Sequence, residues 1–246
     1  MEYRERFSRS LLLLGEETFY ALSQVKVIVF GIGGVGSWCA EGLVRTGIHN
    51  LTIVDSDTVS ESNINRQLPA TTSTVGKPKV EVMREHLLDI NPDANIVAIQ
   101  GEYTETTAGN YNLNDYDYVI DAIDSIKDKI TLILNATAST CTFFSAMGAA
   151  LKTDPLSVRT AEFWKVEGCP LAATLRRRFK KLGVFPSKKF TCVYSKELKS
   201  NRFVIPSTDP RKKVTNGSLV QVTSVCGMTL CSLVVNDISQ KGYLLR

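Results

Sequence analysis

No two of the six cysteines (Cys39, Cys141, Cys169, Cys192, Cys226 and Cys231) stand at C-x-x-C spacing. That argues against a structural zinc of the usual kind. Several lie in apolar stretches, where free thiols pack as small hydrophobes, and this suits a reducing cytoplasm. The N-terminal stretch MEYRERFSRS is charged and has no long apolar region. No secretory signal is expected, and the expected location is cytoplasmic. There is no internal repeat and no low-complexity segment. Charge of one sign is not in strong excess either. A formal net charge of +4 is too mild to announce nucleic acid by itself, so the placement of the basic residues carries the information. The apolar run from Leu219 to Ile238 has the length of a membrane span, but Gln221, Thr223, Ser224, Thr229 and Ser232 dilute it. A buried helix packed on a sheet is expected there, with no stable membrane insertion.

What the chain does have is a strand running into a glycine turn, VKVIVFGIGGVG, from Val25 to Gly36. Val25 and Val27 to Phe30 form the near-continuous apolar run of a parallel strand covered on both faces. Gly31, Gly33 and Gly36 fill the G-x-G-x-x-G spacing, with Gly34 extra, and Ser37 to Val44 opens a helix. Such glycines let backbone approach a ligand, and the N–H groups at the helix start face an anion. The ligand therefore carries phosphate; the motif alone fits NAD, FAD or ATP. A second strand, Leu51 to Val54, ends in Asp55-Ser56-Asp57. An acid about 20 residues past the glycines sits where such folds hold a ribose. Asp55 is the better placed, and Asp57 equally suits a cap.

The next stretch departs from a dehydrogenase. Asn63, Arg66 and Gln67 lie in a polar segment, and Lys79 falls in the first turn of a helix over Val80 to Ile90. A cation there opposes the helix dipole, and a bound phosphate would explain it. Ile96 to Ile99, Asp117 to Ala122 and Thr142 to Ala146 read as further strands, with a helix over 126–138. Asp121 and Asp124 fall where a strand meets its loop, an edge at which carboxylates near a nucleotide hold magnesium; Asp121 equally reads as a loop-capping acid. The predicted fold is α/β, a doubly wound, mainly parallel, Rossmann-like sheet with a less regular C-terminal extension completing the same domain. In that extension Ser157 to Thr160, Lys188 to Ser195 and Arg202 to Ile205 read as strand pieces, and Leu171 to Lys181 as a basic helix. At the N-terminus, residues 3–22 read as a helix broken at Gly15. There Leu11 to Leu14 are core candidates, and Arg4, Arg6 and Arg9 a solvated basic face.

The series GIGGVGS, VDSDTVSESNINRQ, VGKPK and IDAIDS resembles that of the ubiquitin-activating-like ThiF/MoeB adenylating superfamily. RFSRSLLLLGEE, RTGI, VIDAIDSI, the basic LRRRF and the lack of zinc cysteines point within it to the tRNA threonylcarbamoyladenosine dehydratases. The resemblance covers nearly the whole chain and is strongest to about residue 155. It implies one adenylating domain over 1–246, binding nucleotide with about 1–155 and tRNA with about 156–246. The implied activity is ATP-dependent dehydration of threonylcarbamoyladenosine at position 37 of tRNA to its cyclic form, through an acyl-adenylate, with release of pyrophosphate and AMP. The implied nucleotide contacts are Gly31, Gly33, Gly34, Gly36, Asp55, Asp57, Asn63, Arg66, Gln67, Lys79, Asp121 and Asp124. Of these, Arg66, Lys79 and Asp124 are catalytic, and Asp124 holds magnesium through the nucleotide. Arg9 would reach the other subunit's site in a homodimer. The implied tRNA footprint is Arg176, Arg177, Arg178, Lys180, Lys181, Lys188, Lys189, Arg211, Lys212 and Lys213. A monovalent cation (Na or K) and a cysteine desulfurase as sulfur-transfer partner are further implications.

Two departures stand out. Cys169-Pro170-Leu171 replaces an Asp-Pro-Leu segment of the tRNA branch, and KKVTNGS lacks the cysteine found before the final helix. The alternative reading is adenylation of a ubiquitin-like sulfur carrier, which shares the nucleotide residues but usually brings zinc cysteines and a catalytic cysteine. An NAD oxidoreductase would leave Arg66 and Lys79 unexplained, and a non-catalytic tRNA-binding module would leave the nucleotide site unexplained.

Overall fold

The computed structural model describes residues 5–204 and 215–244. Seven strands form one sheet: β1 (Lys26–Phe30), β2 (Asn50–Val54), β3 (Asn95–Ile99), β4 (Tyr118–Asp121), β5 (Thr142–Ala146), β6 (Val158–Glu162) and β7 (Thr191–Ser195). Their order is β3-β2-β1-β4-β5-β7-β6. All neighbours are parallel except β6, which runs antiparallel to β7. Among the described residues the long helices are, in chain order, α1 (Ser8–Gln24), α2 (Gly36–Thr46), α3 (Lys79–Ile90), α4 (Ile126–Ala138), α5 (Pro170–Leu182) and α6 (Val220–Leu244).

Alternation along the strands sorts the core onto two faces. Val27 and Val29 of β1 join a cluster with Leu22, Leu43, Met83 and Leu230, from α1, α2, α3 and α6. Ile28 and Phe30 join the opposite cluster with Ile133, Leu175 and Phe179, from α4 and α5. The helix α6 packs foremost on α2, then on α1 and β5. Its segment Val220–Lys241 is long and apolar enough to cross a membrane, yet half of that stretch is buried within this chain. Cys226 and Cys231 are among the residues it buries.

Two expectations need correction. The helix α1 does break at Gly15, where φ is 80°, but Leu12 and Leu13 are 81% and 85% exposed. With a helical period only Leu11 and Leu14 turn inward to pack against the core. Residues 202–204 form no strand. They pair with no strand of the sheet, and Ile205, the end of that expected piece, lies outside the described residues.

The sheet order reverses between β1 and β4. In open α/β sheets a ligand crevice lies at such a switch point, outside the carboxyl ends of the strands.

Candidate active site

A cleft of about 550 Å³ opens at that point, lined by Gly31, Gly33, Gly34, Asp55, Asp57, Arg66, Gln67, Lys79 and Asp124 among others. Its floor is the glycine turn. Gly31 has φ 90°, and a Cβ there would lie 2.7 Å from the Ala122 carbonyl oxygen. A Cβ on Gly36 would lie 1.8 Å from the Gly31 carbonyl oxygen. Gly36 therefore serves the turn itself and is not among the cleft-lining residues. The turn is braced by Asp55, whose carboxylate accepts hydrogen bonds from the Ile32 N–H (2.6 Å) and the Asp57 N–H (2.8 Å). Burial raises the Asp55 pKa above its ordinary value, against the pull of nearby Lys79.

Two cations reach the cleft from separate segments. Lys79 begins α3, and its Nζ lies 2.7 Å from Asp57 Oδ2. A lysine opposed to the helix dipole thus has a partner in the protein itself, and Asp57 orients a cation as well as lining the wall. Arg66 follows a short helical turn in which Asn63 is buried. The Asn63 carbonyl accepts from the Arg66 and Gln67 N–H groups (3.1 and 2.9 Å), and its side-chain oxygen accepts from the Ser60 N–H. Asn63 shapes the turn and does not line the cleft. The indole N–H of Trp38 fixes the Arg66 carbonyl at 3.1 Å, and the Arg66 guanidinium donates to Asn65 Oδ1. Burial lowers the Arg66 pKa, while the charge of Asp124 works the other way. Gln67 is buried against the cleft, and its Oε1 has no hydrogen-bond partner among the described residues.

Asp121 and Asp124 separate sharply. Asp121 is fully buried below the cleft: it accepts from Lys129 Nζ (2.8 Å), Ser145 Oγ (2.6 Å) and the Ile123 N–H (3.0 Å). Its oxygens hold the loop rather than face a ligand, because the strand's alternation turns it inward. Asp124, beyond the strand end, lines the cleft. Asp128 lines it too and is a residue the sequence reading passed over. The signal was present as an acid four residues after Asp124 in the first turn of α4. The far wall is Met147 to Ala150, Leu171, Thr215, Asn216 and Ser218, a run with no motif of its own. Arg9 is exposed on α1 and does not line this cleft.

The basic residues of the extension divide into two sets. Arg176 donates to the Phe163 carbonyl (3.0 Å) with its guanidinium over the Phe163 ring, and Lys188 Nζ donates to the carbonyls of Ser139 and Cys141. Both are committed to the protein's own backbone. Arg177, Arg178, Lys180, Lys181 and Lys189 are exposed. Arg211, Lys212 and Lys213 lie outside the described residues. All six cysteines are free and buried.

As a class this is a nucleotide-binding α/β protein, with cations set beyond the glycine turn where a dinucleotide dehydrogenase has no use for them. The chain belongs to the ThiF family, which it matches over residues 7–243. It is 37% identical over 245 residues to a tRNA threonylcarbamoyladenosine dehydratase of Bacillus subtilis, spanning 95% of this chain and 94% of that protein. The dehydratase of Escherichia coli is 37% identical over 212 residues, spanning 84% and 78% of the two chains. A solved structure of E. coli tRNA N6-threonylcarbamoyladenosine dehydratase, TcdA, in complex with ATP is similar with a TM-score of 0.86 at 33% identity. It covers 97% of this chain and 95% of that chain.

Proposed function

We propose that this chain is an ATP-dependent tRNA-modifying enzyme that dehydrates threonylcarbamoyladenosine at position 37 of tRNA to its cyclic form. The observation that carries the reading is the meeting of Arg66, Lys79 and Asp124 around one glycine-floored cleft. The similarity to dehydratases over nearly the whole chain supports it.

The glycine turn and the start of α2 receive phosphate, and Asp55 stands where a ribose is held. A substrate carboxylate oxygen attacks the α-phosphorus, and pyrophosphate leaves. Arg66 and Lys79 offset the charge that gathers on the phosphate oxygens. A nucleophile within the same modified nucleoside then closes on the acyl carbon and expels AMP, for a net loss of one water. No enzyme thiol is needed. Burial raises the thiol pKa of Cys39, Cys141, Cys192, Cys226 and Cys231, which disfavours reactive thiolates. The same burial weakens the sulfur-carrier alternative and offers no exposed thiol to a desulfurase.

Asp124 and Asp128 are the residues suited to magnesium, which needs one or two carboxylates beside the nucleotide's phosphates. Bound there, magnesium would withdraw charge from those phosphates. A monovalent cation and a cytoplasmic location belong to the same proposal. So does a division of labour within one ThiF-type domain: nucleotide on about 1–155, tRNA on about 156–246 through Arg177, Arg178, Lys180, Lys181 and Lys189. We further propose a homodimer in which Arg9 acts on the partner's site. The exposed Leu12 and Leu13 on Arg9's own helix support it.

Incubation with ATP, magnesium and threonylcarbamoyl-modified tRNA, followed by mass analysis of nucleosides, tests the reading. The modified nucleoside should lose the mass of one water. ATP consumption with no such loss would refute it.

A further inference from the structure

We infer that Trp164 and Phe185 form a stacking platform for an unpaired loop of RNA, flanked by the exposed cations of α5. The inference rests on the tRNA reading above and adds the part of the RNA that this surface takes. Trp164 is 40% exposed and Phe185 52% exposed, and their ring centroids are 6.1 Å apart. Two van der Waals separations of about 3.5 Å each exceed that spacing. A base therefore does not enter between the rings and stacks on an outer face.

Both aromatics are mounted on fixed structure. The Trp164 ring meets the fully buried Phe163 edge-on at 5.2 Å, and Phe163 in turn stacks on Phe190 at 5.0 Å. The Trp164 backbone N–H donates to Glu162 Oε2 (3.1 Å), which fixes the main chain that carries the ring. Phe185 follows the left-handed Gly183 that ends α5. Its segment is pinned on both sides by Val184 N–H to the Phe179 carbonyl (3.3 Å) and Ser187 N–H to Thr137 Oγ1 (3.1 Å). Rigid, partly exposed rings beside charge are what stacking on a nucleic-acid base requires.

The charge beside them has no internal counter-charge among the described residues; Arg177 donates only to the neutral Thr174 hydroxyl (3.1 Å). The helix α5, PLAATLRRRFKKL, contains no acid. Arg177 and Lys181 stand four residues apart on an exposed face, a like-charge spacing that is unfavourable in an isolated helix. Among the described residues no carboxylate pairs with Arg177, Arg178, Lys180 or Lys181. An external polyanion relieves that repulsion. A duplex would satisfy the cations but hide its base faces, whereas an unpaired loop satisfies cations and rings together.

The test uses the full chain and two probes, an RNA hairpin with an unpaired loop and a blunt RNA duplex of equal phosphate number. Affinity is measured by fluorescence anisotropy across a salt series. Trp164→Ala and Phe185→Ala should each weaken hairpin binding about tenfold. They should leave the salt slope and duplex binding unchanged, and Trp164→Phe should restore most of the affinity. Arg178→Glu should weaken both RNAs and flatten the slope. Unchanged hairpin affinity in both alanine variants overturns the platform while leaving the tRNA reading in place. Equal losses on duplex and hairpin also overturn it, as does polyglutamate binding as tight as the hairpin, the mark of an acidic protein partner. If the unaltered protein binds neither RNA, both readings fall.

Discussion

Lys129 is fully buried, and its ammonium serves two purposes at once. Nζ lies 2.8 Å from both oxygens of the equally buried Asp121, and it donates to the Ile123 carbonyl at 2.8 Å. Lys129→Met keeps most of the apolar stem and removes the charge. Asp121 then retains the Ser145 hydroxyl and the Ile123 N–H but no counter-charge. Breaking one side of a buried pair costs about 3–5 kcal/mol. At about 2–4 °C per kcal/mol for a chain of this size, melting should fall by about 6–20 °C. The sharper test is the double variant Lys129→Met with Asp121→Asn. It leaves no uncompensated charge and should be more stable than the single variant, because charge burial and not lost packing dominates the cost. Urea and thermal unfolding followed by circular dichroism would measure both. Below its melting temperature the single variant should also bind ATP more weakly, since Ile123 precedes Asp124 in the loop that the pair holds. A single variant within about 1 kcal/mol of the unaltered protein, less than removal of one buried partner costs, or a double variant less stable than the single, would refute the reasoning.

Asp124→Asn should fold normally and lose about 10²–10³-fold in adenylate formation, read as pyrophosphate release, the size of loss seen when one charge-stabilising group is removed; unchanged release would take Asp124 out of the mechanism. Arg9→Ala and Lys79→Ala should each be inactive alone, and mixing them with free subunit exchange should restore activity towards about a quarter of the unaltered level, half the dimers being mixed with one working site each; no recovery with exchange confirmed would place Arg9 in cis or nowhere. The Glu41–His86 pair (2.8 Å), with Arg45 on the other Glu41 oxygen, should stabilise most between about pH 4.5 and 6.5. The hydrogen bond to Glu41 raises His86 above its ordinary 6.5, so that share is complete below 6.5 and lost as pH rises through the folded value. Burial acts to raise Glu41, but hydrogen bonds from His86 and Arg45 outweigh it, so its share is complete above 4.5 and lost as pH falls through the lowered value. The stability gap between the unaltered protein and Glu41→Gln, measured in urea across pH, should therefore be bell-shaped, and a flat gap would contradict the pairing.

The strands of the first half were legible because each is a short apolar run between turn residues, and β5 falls on Thr142–Ala146 as the run predicts. Leu12 and Leu13 were not legible, since four consecutive leucines say nothing about which face a helix turns inward until its axis is placed. Arg176 and Lys188 look like their basic neighbours in sequence. Only the tertiary fold brings backbone carbonyls of Phe163, Ser139 and Cys141 within their reach. The far wall of the cleft was invisible for a related reason. Gly148, Asn216 and Ser218 come from segments some seventy residues apart, about half the length of a small domain, and no spacing rule joins them.

Among the described residues three lysines are buried, Lys79, Lys129 and Lys152, and their partners decide which can answer a ligand. Lys129 is held by a fully buried carboxylate, and Lys152 by the backbone carbonyl of Glu197. The Lys129 pair cannot part without leaving a buried charge uncompensated, and the partner of Lys152 is a carbonyl fixed in the main chain. Lys79 differs, because its carboxylate partner, Asp57, has a side chain 63% exposed while Lys79 itself is 5% exposed. Water can solvate Asp57 if it is displaced, so exchanging it for a stronger anion carries little desolvation cost on the side of the leaving group. The anion that takes its place gains a lysine already desolvated and oriented by α3. The salt bridge that explains why a lysine opens this helix is therefore also the bond that an arriving phosphate can replace.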